Sequence, residues 1–295
     1  VRIFHLKQAS VFLDSPQPHE FPPLRSSSID EIDSHSNAVY SNTVAITVLV
    51  TGSSGKLGIA VVSELLERGI NVRGFDRVSS DILHDTFTGD ITDRKALDTA
   101  MHGISDLIHL AATPDDDDFL ESLLPNNVAG LYHVMEAARC AGVRRIVLAS
   151  SAQLIWWRRI TGPFPITETQ PPAPKAWYAA TKMFMESIGY SYSQMYGISV
   201  IVARIGWCPR PGQEDEIHSI DWAQDIYLSP KDAGRFFASC ICAPEHVRHL
   251  LVNVTSIPKN LERIDLTVAR EVLGYKPQET YPTGMESPQN PPKSS

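Results

Sequence analysis

Three features of the chain predict the α/β class, as a doubly wound parallel sheet with a small C-terminal lobe. A β-branched apolar run at 44–50 leads into Thr51-Gly52-Ser53-Ser54-Gly55-Lys56-Leu57-Gly58, after which Leu57, Val61, Leu65 and Leu66 recur with helical spacing. Strand-like runs at 70–75, 87–91, 106–110 and 145–150 then alternate with helical patterns, the order that builds parallel sheets. The second run ends on Asp76, 18 positions beyond Gly58 (76 − 58), near where a dinucleotide-binding sheet places its ribose acceptor.

The glycine turn is the organising stretch. Glycines let the backbone turn tightly and approach phosphates, and the free amides at a helix start face negative charge. Gly52, Ser54, Gly55, Lys56, Leu57 and Gly58 are therefore expected to cradle a dinucleotide pyrophosphate. The spacing is Gly-x-x-Gly-x-x-Gly, so the motif needs support from the rest of the chain. Asp76 supplies part of it: a carboxylate there accepts hydrogen bonds from both ribose hydroxyls and repels a 2′-phosphate, which favours NAD over NADP, while the adjacent Arg77 pulls the other way. Asp90 is placed to meet the adenine amino group and Ile91 to pack on the ring, with Thr92 or Asp93 capping the next helix. Leu110, Ala111 and Ala112 close the fourth strand with small residues that let the backbone lie against a cofactor. His109, inside that strand, reads as a core histidine. The acidic run Asp115 to Asp118 reads as a solvated loop with one member capping a helix from Phe119, and a long helix is expected over 126–141.

Composition narrows the function. With 295 residues, 43% hydrophobic and 20% charged, the chain can bury a full α/β core. The net charge of -8 and the absence of any basic run longer than two residues exclude an electrostatic footprint for nucleic acid. No uncharged apolar stretch approaches the roughly 18 residues of a membrane span. Cys140, Cys208, Cys240 and Cys242 are too scattered for a zinc site, so no metal is expected and the cytosol is the default compartment. The domain reading is an N-terminal extension over 1–43, a nucleotide-binding domain over 44–206, a small substrate lobe over 207–280 and a disordered tail over 281–295. The extension is rich in serine and proline. Acidic residues interrupt it, and it lacks the clean apolar core of a targeting peptide.

A candidate catalytic set follows the fifth strand. Ser151 ends that strand, and Tyr178 and Lys182 stand four apart on a predicted helix, sharing one face. The spacing suits alcohol oxidation, with Tyr178 taking the hydroxyl proton, Ser151 holding the substrate oxygen and Lys182 binding the nicotinamide ribose while lowering the tyrosine pKa. Bringing a free phenol from about 10 to about 7 requires roughly 4 kcal/mol of preferential phenolate stabilisation. Asn127 is expected to support the lysine through a water or the helix backbone.

In order, these motifs resemble the extended short-chain dehydrogenase/reductase group of the NAD-dependent epimerase/dehydratase family: Thr51-Gly52-x-x-Gly55-x-x-Gly58, Asp76, Asp90-Ile91, His109-Leu110-Ala111-Ala112, Asn126-Asn127-x-x-Gly130, Ser150-Ser151 and Tyr178-x-x-x-Lys182. The resemblance implies a Rossmann-type domain, bound NAD and a hydride-transfer activity. Within the group the chain is similar to uronate dehydrogenases, through 124–132, 146–151 and Ala203-Arg204-Ile205-Gly206, which adds Ile205 to the expected cofactor contacts. Those enzymes oxidise the anomeric carbon of a sugar acid to a lactone. The substrate positions depart from that pattern. Ala152-Gln153 stands where the family has Asn-His, and Trp207-Cys208 replaces small polar residues. Ser151, Ala152, Gln153 and Trp207 are the expected substrate contacts. The family's carboxylate-binding arginine has no counterpart in a segment holding Glu214, Asp215 and Glu216, which would repel a sugar acid; Arg158, Arg159 and Arg210 are the arginines that could substitute from other loops. Trp156, Trp157, Trp207 and Trp222 all fall in the substrate portion, where they can floor a sugar site or form its core.

The leading expectation is an NAD-dependent oxidoreductase acting on a small hydroxylated substrate, a sugar or uronate. A sugar-nucleotide epimerase or dehydratase using the same Tyr178 and Lys182 is the alternative, and an NAD-binding redox sensor without turnover is a third reading. The group forms dimers through the helices near Asn126 and Tyr178, which leaves a homodimer open.

Overall fold

Seven strands, all parallel, form one sheet in the order β3-β2-β1-β4-β5-β6-β7: β1 (Thr47–Thr51), β2 (Asn71–Asp76), β3 (Thr86–Thr88), β4 (Asp106–His109), β5 (Arg145–Ser151), β6 (Ser199–Ile205) and β7 (His249–Val254). The computed structural model describes residues 46–210 and 212–285. The expected extension over 1–43 lies outside them, as does 286–295. The strand order reverses at β1, whose partners are β2 on one side and β4 on the other. Thr51 pairs with both Phe75 and His109, so the carboxyl ends of these three strands meet at the point where a doubly wound sheet opens a crevice.

The buried strands carry near-continuous apolar runs because helices cover both faces. On one face, α1 (Lys56–Glu67), α8 (Pro230–Ile241) and α9 (Thr267–Leu273) supply Val61, Leu65, Phe236, Phe237 and Ala269 to one cluster. The approach of α8 to α1 depends on Gly234, where a Cβ would sit 2.7 Å from Ala60 O. On the other face, α2 (Arg94–Ala100), α3 (Leu131–Ala141) and α5 (Trp177–Tyr196) contribute Leu97, Met135, Met185 and Tyr192. Asp93 caps α2 by accepting from the amides of Lys95 and Ala96.

The helix expected over 126–141 is continuous with the one expected from Phe119, and its ordinary α turns begin only at Leu131. Over Phe119–Gly130 it is wound wide, with Leu123 N donating to Asp118 O five residues back. Pro125 lies inside this stretch and has no N–H to give, so the ordinary ladder is broken there. One expectation is corrected: Tyr281 is not part of a disordered tail. It is buried, with its ring 5.6 Å from Tyr227 and its hydroxyl 3.1 Å from His218 Nδ1. Proline content alone suggested disorder; one aromatic anchor outweighs it through 285.

The described residues also include a 3-10 turn at Ala152–Ile155 and the short helices α4 (Arg158–Thr161), α6 (Glu214–Ser219) and α7 (Asp221–Asp225). Arg145, at the start of β5, is fully buried and holds the far end of α8. Its guanidinium donates to Ser199 Oγ and to the carbonyls of Cys240, Ile241, Ala243 and Pro244, at and just beyond the end of the helix, where carbonyls lack an intrahelical donor. Arg145→Ala takes this donor from the Ile241 and Ala243 carbonyls and leaves Ser199 and a buried void behind, so chemical denaturation should show a loss of about 3 kcal/mol or more. A loss within about 0.5 kcal/mol would mean that the contacts are dispensable.

Candidate active site

One cavity of 510 Å³ lies over the carboxyl ends of the strands at the crevice between β1 and β4. It joins the glycine turn at one end to the Ser-Tyr-Lys cluster and then to an aromatic end built by residues after β5. Every sequence-predicted site residue lines it except Asn127: Gly52, Ser54, Gly55, Lys56, Leu57, Gly58, Asp76, Asp90, Ile91, Leu110, Ala111, Ala112, Ser151, Ala152, Gln153, Tyr178, Lys182, Ile205 and Trp207.

The turn has the geometry a pyrophosphate needs. Gly52 has φ +74°, and its Cβ would lie 2.8 Å from Ala111 N, so β1 and the segment after β4 approach through it. A Cβ at Gly58 would lie 2.0 Å from Gly52 O, which lets α1 start directly against the turn. No side chain caps α1, and its first amides face the cavity without an intrahelical partner. Asp76 accepts from Ser54 N at 3.0 Å and from Arg77 N at 2.6 Å, which fixes its carboxylate at the cavity rim. The free amides, the glycine approach and a rim carboxylate together fit a dinucleotide. Asp90 is held by Thr92: the Thr92 amide and hydroxyl both donate to it, and the amide is the main reason its pKa is lowered. Its carboxylate is thereby pinned to the loop, at the position expected to meet the base.

The cluster behind the turn is buried. Tyr178 and Lys182 are 8% and 3% exposed, one helical turn apart on α5, with Lys182 Nζ 5.5 Å from the Tyr178 ring centre. Lys182 Nζ donates to Ala149 O at 2.9 Å on β5. Ser151 accepts from Gln153 N at 3.1 Å and lies close enough to Tyr178 for its hydroxyl to lower the phenol pKa. Burial dominates all the same: it pushes Tyr178 up to about 12, with Asp115 and Asp116 adding to the rise and Arg210 opposing it. Burial also pushes Lys182 down to about 8. Lys182 therefore still carries its charge at neutral pH, where an ammonium favours a phenolate without outweighing the burial of Tyr178.

Asn127 is buried beside this cluster. Its Oδ1 accepts from Thr113 N and its Nδ2 donates to Thr113 O and to Thr181 Oγ1, so it ties the loop after β4 to α5 one residue before Lys182. Asn126, which went unassigned in the sequence, lines the cavity and donates to Thr113 Oγ1. Asp118 caps the helix from Phe119 through Glu121 N, as expected. The rest of the acidic run is more than a solvated loop. Asp116 accepts from Tyr178 N at 2.9 Å, fixing the start of α5. Asp115, at φ 73°, accepts from Gln153 Nε2 and from Arg210. His109 is buried against Thr51 Oγ1, and burial pushes its pKa down to about 3, so it stays neutral at any working pH.

The aromatic end holds residues that the sequence could not place. Trp156, Arg159, Lys175, Cys208 and Arg210 line it with Trp207. Trp222 stacks behind, 5.9 Å from Trp156 and 6.3 Å from Trp207, while Trp157 is exposed. Arg158 turns away to Pro171 O, and Arg210 is engaged by Asp115 and Pro114 O. Within 214–216, Glu216 lines the cavity. The signal for these residues is contact between segments far apart in the chain, which no local pattern encodes.

Comparison with known proteins places this geometry among relatives. The model of the NAD dependent epimerase/dehydratase family matches residues 48–220. An L-arabinose 1-dehydrogenase (NAD(P)(+)) of Haloferax volcanii is 28% identical over 261 residues, covering 81% of this chain and 99% of the relative. An NAD-dependent glucose-6-phosphate dehydrogenase of the same organism is 29% identical over 250 residues, covering 79% and 93%. The crystal structure of a glucuronic acid dehydrogenase from Chromohalobacter salexigens aligns with a TM-score of 0.67 at 25% identity, covering 84% of this chain and 92% of that one.

The rim carboxylate gives a direct test. Asp76→Ala should lower the kcat/KM ratio of NAD to NADP at least tenfold, since it removes both the ribose acceptor and the charge that repels a 2′-phosphate. An unchanged ratio would place the ribose contact elsewhere.

Proposed function

The chain belongs to the NAD dependent epimerase/dehydratase family, and from that premise we propose that it is an NAD-dependent dehydrogenase. On this reading it takes hydride from a hydroxyl-bearing carbon of a small sugar or uronate-like molecule, with Ser151, Tyr178 and Lys182 as the proton-transfer set. The observation that carries this reading is the single cavity in which the glycine turn, the buried Tyr178–Lys182 pair and an aromatic floor are continuous. The relatives act, by name, on arabinose, glucose 6-phosphate and glucuronic acid, which supports an aldose or a derivative of one as substrate. Gln153 Oε1 is buried without a partner at the substrate end and is ready to accept from a sugar hydroxyl.

Bound NAD supplies the hydride acceptor and a positively charged ring. The chain's residues supply the rest. Ser151 holds the substrate hydroxyl against Tyr178, and the Tyr178 oxygen takes its proton as hydride leaves the same carbon. Lys182, projecting from β5's side of α5, holds the ribose next to the ring. Moving the phenol from about 12 to about 7 requires about 7 kcal/mol. The protonated Lys182, its Nζ 5.5 Å from the ring centre, supplies part of this and the positive ring the rest, the Ser151 hydrogen bond being already felt in the starting value. At pH 7 the lysine, near 8, still carries its proton, so the contribution is present where the enzyme works. The working compartment on this reading is the cytosol, which suits the free thiols of Cys140, Cys208, Cys240 and Cys242. Leu120, Tyr132, Trp177 and Tyr190, exposed on the helix from Phe119, on α3 and on α5, form the surface for a homodimer.

Turnover tests the reading. With NAD and a panel of neutral aldoses, uronates and sugar phosphates, NADH should accumulate in step with product, whereas an epimerase would return the hydride and a sensor would give no product. Tyr178→Phe should lower kcat by about 10²–10⁴-fold with NAD affinity within about threefold of wild type. The wild-type rate should rise with pH through neutrality because the acceptor is the phenolate. Normal turnover in the variant would assign the base elsewhere.

A further inference from the structure

Three arginines are buried among the described residues, and they differ in what their donors meet. Arg145 spends its guanidinium on Ser199 and four carbonyls, and Arg204 pairs with Glu186 through two parallel bonds at 2.9 and 2.8 Å, which leaves its Nη1 alone without a partner. Arg159 is 3% exposed and lines the aromatic end of the cavity, yet its Nε and Nη2 are sealed from solvent with no hydrogen-bond partner. None of the hydrogen bonds or ion pairs among the described residues uses its guanidinium. Asp115, the nearest source of negative charge felt by Arg159, is already engaged by Gln153 and Arg210.

The group is nevertheless held firmly. Its guanidinium carbon lies 3.4 Å from the Trp156 ring centre and 4.2 Å from that of Trp222. Its backbone carbonyl accepts from Arg263, which is paired in turn with Asp225. Stacking satisfies the flat face of a guanidinium but not its N–H edge, and that edge is what recognises a planar or tetrahedral oxyanion through paired bonds. Burial lowers the Arg159 pKa to about 9, which leaves the group charged at neutral pH and short of a counter-charge.

We propose that Arg159 is the anion anchor of the substrate end, taking the carboxylate or phosphate of an anionic sugar while the reacting hydroxyl sits at Ser151 and Tyr178. The inference rests on the dehydrogenase reading and deepens it. It assigns the substrate's charge, and it places the specificity determinant on α4, away from the acidic segment at 214–216. The side chain lines the cavity and its guanidinium meets no acceptor among the described residues, so a substrate oxyanion is the partner it lacks.

The test compares glucose, glucuronate and glucose 6-phosphate as substrates for wild type, Arg159→Met and Arg159→Lys. In parallel, titration calorimetry measures binding of the two anionic sugars to protein saturated with NADH, where no turnover occurs. Wild type should prefer one anionic sugar over glucose at least tenfold in kcat/KM, and which one it prefers distinguishes a carboxylate site from a phosphate site. Arg159→Met should collapse that ratio through KM and abolish anion binding. Arg159→Lys, which keeps the charge and loses the paired donors, should restore part of the binding and so report on the site even where the methionine variant folds poorly. Anion binding to wild type that is weakened in Arg159→Lys and lost in Arg159→Met, with no NADH formed from any sugar, would keep the anchor and refute the dehydrogenase reading. NADH from glucose and the anionic sugars alike, without a preference, would keep the dehydrogenase and refute the anchor, as would an anionic preference surviving in both variants. Absence of both turnover and binding would refute the anchor as well.

Discussion

The site depends on burying two ionisable groups together without a carboxylate to neutralise either. Tyr178 and Lys182 sit one turn apart on α5, and burial drives their pKa values toward the neutral form of each, to about 12 and about 8. At neutral pH the lysine still carries its proton, yet the buried phenol stays far from ionising. A second positive charge is required to bring it there. The dinucleotide cradle continuous with this pocket is where such a charge enters, so the chain's residues and the cofactor share the work of making a base.

The scaffold exists to hold that pair in place. The parallel sheet reverses its order at β1, which opens the crevice. Gly52 and Gly58 let backbone meet backbone at the turn, where a side chain would have no room. On the other side, Asp116 fixes the start of α5 through Tyr178 N, Asn127 fixes its second turn through Thr181, and Lys182 reaches back to Ala149 on β5. A buried pair held by three independent backbone or side-chain contacts has little freedom, which is what oriented proton transfer needs.

Much of this was legible in the sequence because the signals are local. The strand-glycine-helix succession, Asp76 at a strand end and the four-residue spacing of Tyr178 and Lys182 each sit within a few residues, and the structure brings all of them to one cavity. The contacts that stayed hidden share a cause. The amide of Asn127 meets Thr113 and Thr181, partners 14 and 54 positions away. Asp115 and Asp116 meet Gln153, Arg210 and Tyr178 across 38 or more positions. Arg159 could be named in the sequence only beside Arg158 and Arg210. What separates the three is the stacking of Trp156 and Trp222 around one of them, a packing fact with no local signature. Tyr281, set among prolines, was misread for the same reason.

A shared base has a direct spectroscopic consequence. The decisive measurement is the tyrosinate absorbance of wild type minus that of Tyr178→Phe, followed from about pH 6 to about pH 10 with and without saturating NAD. The account predicts that this difference stays flat in the protein alone and shows an ionisation near neutrality once NAD is bound. A curve unchanged by the dinucleotide, or a tyrosine already ionised near pH 7 without it, would contradict the account.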